Sequence, residues 1–245
     1  MTRRNLLLGV GALVVLGLLG AGAAGYTYFF SGARTAPQPL ALATPTPGAT
    51  PSATPAPAAG LAGSWSVAAG SQAEWRVSEV FAGTTSPHPA VGRTSSVTGT
   101  LTVQDTGSGL SAQNLSFSAD LSGLASVDQV EGHDVRQRDQ LVRQALSVNR
   151  FPTATFQSTQ AVALPAGFAD GQQVQLTVPG QLTIHGVTKD VTVSVTQLQI
   201  SGSQVQAAGT IQTTMADFNI QPPSAPFVTV DRNVTIGFLL NLAKA

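Results

Sequence analysis

Cysteine is absent from the 245-residue chain. That excludes disulfide staples, a thiolate nucleophile, thiolate metal sites and the lipid-modified cysteine of a lipoprotein anchor. Charge is nearly as scarce. Twelve basic and twelve acidic side chains cancel, and the basic ones are scattered rather than striped along one face, so nothing points to a nucleic-acid partner. His88, His133 and His185 have no metal-ligand spacing and no carboxylate pair beside them. No serine lies in a Gly-x-Ser-x-Gly elbow, and no glycine loop has a phosphate-cradling form. The chain is read as non-catalytic, with no metal and no cofactor.

What is present divides the chain in three. Residues 1–30 open with Arg3 and Arg4 and continue as an uncharged run from Leu6 to Phe30. At about 25 residues this run exceeds the roughly 20 needed to cross a bilayer as a helix and the 7–15 of a typical signal peptide. Tyr26, Tyr28, Phe29 and Phe30 sit where an interfacial aromatic belt belongs. The reading is a single-pass signal anchor that places the rest of the chain outside the cytoplasm. The rival is a cleaved signal at Ala21-Gly22-Ala23, which would release the chain; Thr2–Leu7 also resembles a twin-arginine export signal. Residues 31–60 carry seven prolines among Ala and Thr, from Pro37 to Pro57. With no apolar periodicity to bury, this segment is expected to be an extended, solvated, disordered stalk, reaching on the order of 90 Å in the polyproline conformation.

Residues 61–245 form the third part, and from Ala73 onward alternation dominates. Trp75 and Val77 alternate with Glu74 and Arg76; Leu115, Phe117 and Ala119 with Ser116 and Ser118; Val174, Leu176, Val178, Leu182 and Ile184 share one parity; Val234, Ile236, Phe238, Leu240 and Leu242 close the chain. Each strand then has one wet and one dry face. About eight such strands with short turns suit a closed antiparallel, lipocalin-like barrel, because closure removes exposed edges; a two-sheet sandwich is the alternative. One short helix interrupts the pattern, expected to start in a capping box of Asp134 and Gln137 and to end at Phe151-Pro152. Its apolar stripe is Val135, Leu141, Val142, Ala145 and Leu146. Eight strands either fill their interior with side chains or hold a small ligand. The inward set mixes small residues (Ala73, Gly99, Ala119, Ala154, Ala207, Gly209) with large ones, and periodicity does not choose between core and cavity.

Three stretches resemble the YceI-like family of extracytoplasmic lipid-binding barrels. Gly180-Gln-Leu-Thr-Ile-His-Gly-Val-Thr-Lys189 is similar to that family's strand–turn–strand signature. Arg138-Asp139 followed by Phe151-Pro-Thr-Ala-Thr-Phe156 resembles its Arg-Asp helix and strand entry. Met215-Ala-Asp-Phe-Asn-Ile220 resembles the segment before the last strand. The resemblance covers roughly residues 64–243 and implies a barrel whose pore holds an amphiphile, typically a polyisoprenoid, without catalytic residues. The chain departs at Ser71-Gln72-Ala73-Glu74, where the family carries a His-Ser pair, and at Phe81–Arg93, which is longer and contains Pro87-His88-Pro89. Both departures bear on the barrel mouth, so the resemblance speaks to the ligand's tail more than to its head group.

The expected cavity lining is Trp75, Val77, Phe117, Phe156, Leu182, Ile184, Phe218 and Phe238; each taken singly is equally compatible with packed core. Arg138 is the candidate for a phosphate or carboxylate head group. Its alternative role, or that of Asp139, is a salt bridge tying the helix to a strand. His185 is read as hydrogen-bonded at a hairpin turn. The leading function is a carrier or sequestering module for a long-chain lipid at the outer face of the cytoplasmic membrane. The alternatives are a filled barrel acting as a structural or interaction domain of the envelope, and an enzyme acting on a lipid. A homodimer is left open.

Overall fold

A computed structural model describes residues 34–42, 60–82, 86–130, 134–223 and 228–245. The expected membrane segment lies outside the described residues, as does His133; among the described residues no helix is long and apolar enough to cross a bilayer.

Ten segments build the barrel: β1 (Gly63–Val67), β2 (Gln72–Phe81), β3 (His88–Thr94), β4 (Val97–Asp105), β5 (Leu110–Asp120), β6 (Thr153–Ser158), β7 (Val174–Ile184), β8 (Val187–Ser201), β9 (Gln204–Thr214) and β10 (Asn233–Lys244). β1 and β2 lie end to end along β10, through Val67↔Leu242 and Ala73↔Phe238. β3 and β4 lie end to end against them in turn. These four segments therefore act as one long bent hairpin. The bend between β1 and β2 is pinned by Ser71, whose hydroxyl donates to Ala68 O at 2.8 Å and accepts from Asn241 N–H at 3.0 Å.

The resulting ring has eight strand positions, all antiparallel, and closes through β9–β10 from Gln204↔Ala243 to Thr214↔Asn233. Closure removes the sandwich alternative. The alternation read from the sequence sets the faces: Val178, Leu182, Val193, Val195, Ile211, Leu240 and Leu242 all join one buried interior cluster. Burial is the ordinary consequence of pointing that parity inward.

One helix, α1 (Arg136–Ala145), packs across one end of the ring. Its start differs from the expected capping box. The N-cap position is Val135, without a side-chain cap, and Asp134 instead accepts from the Arg136 backbone N–H at 3.1 Å. The helix also stops earlier than Phe151-Pro152, because Ser147 takes a left-handed φ of 49° and turns the chain. Val142, Ala145 and Leu146 face the interior, whereas Leu141, expected on the same stripe, is 42% exposed. At the same end, His185 (φ 54°) and Gly186 (φ 75°) make the two-residue turn between β7 and β8, the positive-φ pair that suits the twist of a tight hairpin. His185 Nδ1 lies 3.1 Å from Phe218 O and Nε2 3.1 Å from Ser147 Oγ, so both ring nitrogens are engaged.

Part of the expected free stalk is not free. Arg34–Thr35 pairs antiparallel with Gln129–Val130, and residues 36–42 continue across the outside of the barrel to a buried Leu42. The segment is extended, but its backbone is hydrogen-bonded to barrel side chains rather than to water alone.

Candidate functional site

The inward faces do not fill the ring. They enclose two chambers, of about 190 Å³ and about 160 Å³. An apolar cavity of about 150 Å³ is already large enough to stay dry and accept a benzene-sized guest. Chamber one occupies the end away from α1, and Phe117, Phe156, Leu182 and Phe238 all line it. Chamber two lies under α1, and Trp75, Val77, Ile184 and Phe218 line that one. The eight residues expected from sequence thus divide evenly between the two.

The chambers share Ala73, Ala119, Ala154 and Ile236. Three of these four carry only a methyl group, and two of them, Ala119 and Ala154, are directly opposite on β5 and β6. The two chambers thus abut at a shared wall in which three of four side chains are as small as alanine.

A second device keeps the rings out of the lumen. Gly99 lies opposite Phe117, Gly209 opposite Phe238 and Gly92 opposite Trp75, while Gly180 lies against the ring of Phe156. A β-carbon on Gly209 would stand 2.7 Å from Phe238 Cζ, and one on Gly92 would stand 2.5 Å from Trp75 Cε2. Each aromatic ring therefore lies on a glycine of the barrel wall, the cross-strand arrangement in which an aromatic covers the gap left by a missing side chain. The rings line the chambers instead of filling them.

Trp65, Leu101, Leu115 and Phe168 also line chamber one; Leu101 and Leu115 have the inward parity read from the sequence without being among the expected lining, and Trp65 and Phe168 were missed. Trp65 and Val67 alternate with Ser64 and Ser66 in β1, a short signal that stood before the point where alternation was taken to begin. Trp65 is 4% exposed and donates from Nε1 to Leu61 O at 2.9 Å.

Among the described residues only chamber two is bordered by charged ones: Glu79, Arg138 and, from the outward parity of β2, Glu74. Arg138 comes from α1 and donates through Nη1 to Glu79 at 3.0 Å, through Nη2 to Asp128, and through Nε to Ser126 Oγ at 3.2 Å. Asp139 accepts from the Ser126 backbone N–H at 2.8 Å and its hydroxyl at 2.6 Å. Both members of the Arg-Asp pair thus tie α1 to the barrel. Arg138 also sits 5.8 Å from the centroid of the Trp75 ring.

Asp128 is 2% exposed and accepts from His88 Nε2–H at 2.8 Å and from Val91 N–H at 3.1 Å. Burial pushes its carboxyl up, but the bonds from His88, Val91 and Arg138 outweigh that and leave it below the usual carboxylate range. At Glu79 the balance goes the other way: burial dominates over Arg138, and its pKa is raised. His88 belongs to the atypical Phe81–Arg93 stretch, and its partner Asp128 was not singled out in sequence. Only the fold brings the two together, 40 residues apart. Among the described residues no cluster of three or more His, Asp or Glu is arranged to hold a metal ion.

A family model for the YceI-like domain matches residues 65–242. A UPF0312 protein of Vibrio cholerae is 32% identical over 119 residues, which is 43% of this chain and 59% of that protein. The match thus spans less than two thirds of the curated relative. Among solved structures, a polyisoprenoid-binding domain from Saccharophagus degradans, implicated in plant cell wall breakdown, superposes with a TM-score of 0.54 at 17% identity, covering 74% of this chain and 98% of that one. BcnA from Burkholderia cenocepacia gives a TM-score of 0.45 at 24% identity, over 69% of this chain and 96% of that one.

Proposed function

Because the chain belongs to the YceI-like domain family, we propose that its barrel binds a long apolar lipid, a polyisoprenoid or similar amphiphile, and carries or sequesters it at the outer face of the cytoplasmic membrane. The observation that carries this reading is the pair of apolar chambers that abut at an alanine-rich wall. A chain threaded through both would gain about 0.8 kcal/mol for each methylene it removes from water, without any specific polar contact. A filled barrel acting through its outer surface has no use for a lumen held open by rings seated on glycines. The Saccharophagus degradans domain of the same fold is described as binding a polyisoprenoid, which is the class of ligand this lumen suits. The role is that of a carrier, with no bond-making step.

The charged wall narrows the head group. Arg138 is already faced by Glu79 and Asp128, so a phosphate brought there would meet two carboxylates along with the one guanidinium. An uncharged polar head group avoids that repulsion. Among the described residues the buried indole N–H of Trp75 has no hydrogen-bond partner, but it lies against Gly92 in the barrel wall and is not presented to the chamber.

The test is to purify a chain beginning at residue 31, which keeps the docked segment 34–42, denature it and analyse the organic extract by mass spectrometry. One long-chain isoprenoid or related lipid per barrel is expected. An empty extract, together with no uptake of added isoprenoid quinone, rejects the reading. Preference for a polyprenyl phosphate over the quinone would restore Arg138 as the head-group partner.

A further inference from the structure

The two places where the chain departs from its family's pattern meet the N-terminal segment. Glu74, from the first departure, is buried between two arginines, with Arg76 Nε at 2.6 Å and Arg93 Nε at 2.8 Å. The same three side chains grip the chain that crosses them. Arg76 donates to Pro37 O at 2.7 Å, Arg93 to Gln38 O at 2.7 Å, and Leu40 N–H donates to Glu74 at 3.3 Å. The segment ends with Leu42 N–H on Gln197 at 2.8 Å and the Leu42 side chain 4% exposed. It enters beside α1, where Arg34 and Thr35 pair with Val130 and Gln129.

That end of the barrel is unlike the other. Val127 and Leu141 are the exposed large apolar side chains among the described residues, at 41% and 42%, and both lie there, one next to the Gln129–Val130 pairing and one on α1. Arg143, which donates to Leu124 O at 3.2 Å, and Arg150 stand on α1 and the turn that follows it without a carboxylate partner among the described residues, while Arg136 at the start of α1 is paired with Asp134 at 2.9 Å. Apolar side chains among basic ones suit the surface of an anionic bilayer.

We propose that the docked segment 34–42 is a short leash that holds the α1 end of the barrel, and with it chamber two, against the membrane. This rests on the carrier reading above and on the N-terminal anchor expected from the sequence. From Phe30 to Arg34 an extended chain reaches at most about 14 Å, against the order of 90 Å available to a wholly free stalk. The clamp thus fixes which end of the barrel meets the bilayer, and a lipid passes between membrane and chamber two without crossing water.

The absence of cysteine makes the test clean. Single cysteines at Gln140 on α1 and at Ser108, in the turn beyond chamber one, are labelled with a fluorescent donor in the full chain, reconstituted in anionic vesicles carrying an acceptor lipid. Energy transfer from position 140 is expected to exceed that from 108. The excess is expected to be lost when Leu42→Asp and Arg93→Gln release the segment. Equal transfer from both positions overturns the proposal, and a difference that survives release overturns the part played by the segment. Hydrogen exchange gives a second readout on the unaltered chain: the amides of Leu40 and Leu42 are expected to be protected, and free exchange there also overturns it. A chain that does not stay with the vesicles removes the orientation together with the anchor, whereas the lipid extract judges the carrier reading separately.

Discussion

Gly92 and Trp75 face each other across β2 and β3, and the indole occupies the space that any side chain at position 92 would need, with Cζ2 2.8 Å from where a β-carbon would be. The wall of chamber two is smooth at this point because one residue has no side chain and the other lies over it. Three further glycine–phenylalanine contacts repeat the arrangement around chamber one.

Gly92→Ala is therefore expected to drive the Trp75 ring off the wall into chamber two. Lipid recovered per barrel should fall, and overpacking should cost about 1–3 kcal/mol of stability. Gly123→Ala, where an added β-carbon meets nothing within 4 Å, should change neither. Quantitative mass spectrometry of the extract and thermal unfolding check both variants, and equal lipid content in the two would refute the ring-on-glycine account of the open lumen.

Ala119→Phe puts a ring into the wall that the two chambers share. Long isoprenoids should lose binding while short ones that fit a single chamber keep it. Competition between isoprenoids of increasing length reads this directly. Uniform loss at every length would mean that the ligand does not pass from one chamber to the other.

Phe218 is 1% exposed and fills the floor of chamber two from the turn after β9. Phe218→Ala should destabilise the barrel by about 3–5 kcal/mol, the usual cost of emptying a buried aromatic site. Denaturant unfolding measures it. A loss well under that range would show that the chamber collapses onto the gap.

The buried carboxylates predict opposite pH effects. Asp128 has its folded pKa below the ordinary 3.8, so the stability it contributes is present above that value and is lost as pH falls through the lower, folded pKa. Glu79 has its folded pKa above 4.5, so its contribution is present below 4.5 and is lost as pH rises through the raised value. Thermal unfolding of Asp128→Asn should show a shallower fall below about pH 4 than the parent chain. The same variant should lose about 3–5 kcal/mol near neutrality, because His88 and Arg138 are left without their shared partner. Glu79→Gln should instead flatten the decline above pH 4.5. Identical pH profiles for all three chains would remove the carboxylates from the linkage.

How far the sequence reached depended on the range of the interaction. Alternation placed Phe117, Leu182, Ile184 and Phe238 on the inward face, and the structure finds them lining the two chambers. It also assigned Glu74 to the wet face; Glu74 has the outward parity, yet it is 3% exposed because the 34–42 segment and two arginines cover it. Composition described residues 31–60 as unable to bury anything, which overlooked one leucine, Leu42, and the backbone carbonyls of Pro37 and Gln38 that arginines on the barrel could reach.

By itself the sequence determined the local geometry. A side-chain period of two makes strands with one dry face, and the His185-Gly186 pair makes a tight hairpin. The order of three short motifs marks the family. Tertiary structure decided closure, lumen and clamp, because each depends on partners distant along the chain. β9 meets β10 only when the ring is complete, and the outer clamp joins Pro37 to Arg76 and Leu42 to Gln197. Whether Trp75, Phe117 and Phe238 fill the core or line a chamber depends on which residue each ring lies against. The residue is a glycine on a neighbouring strand in all three cases, and strand register, a non-local property, is what puts it there.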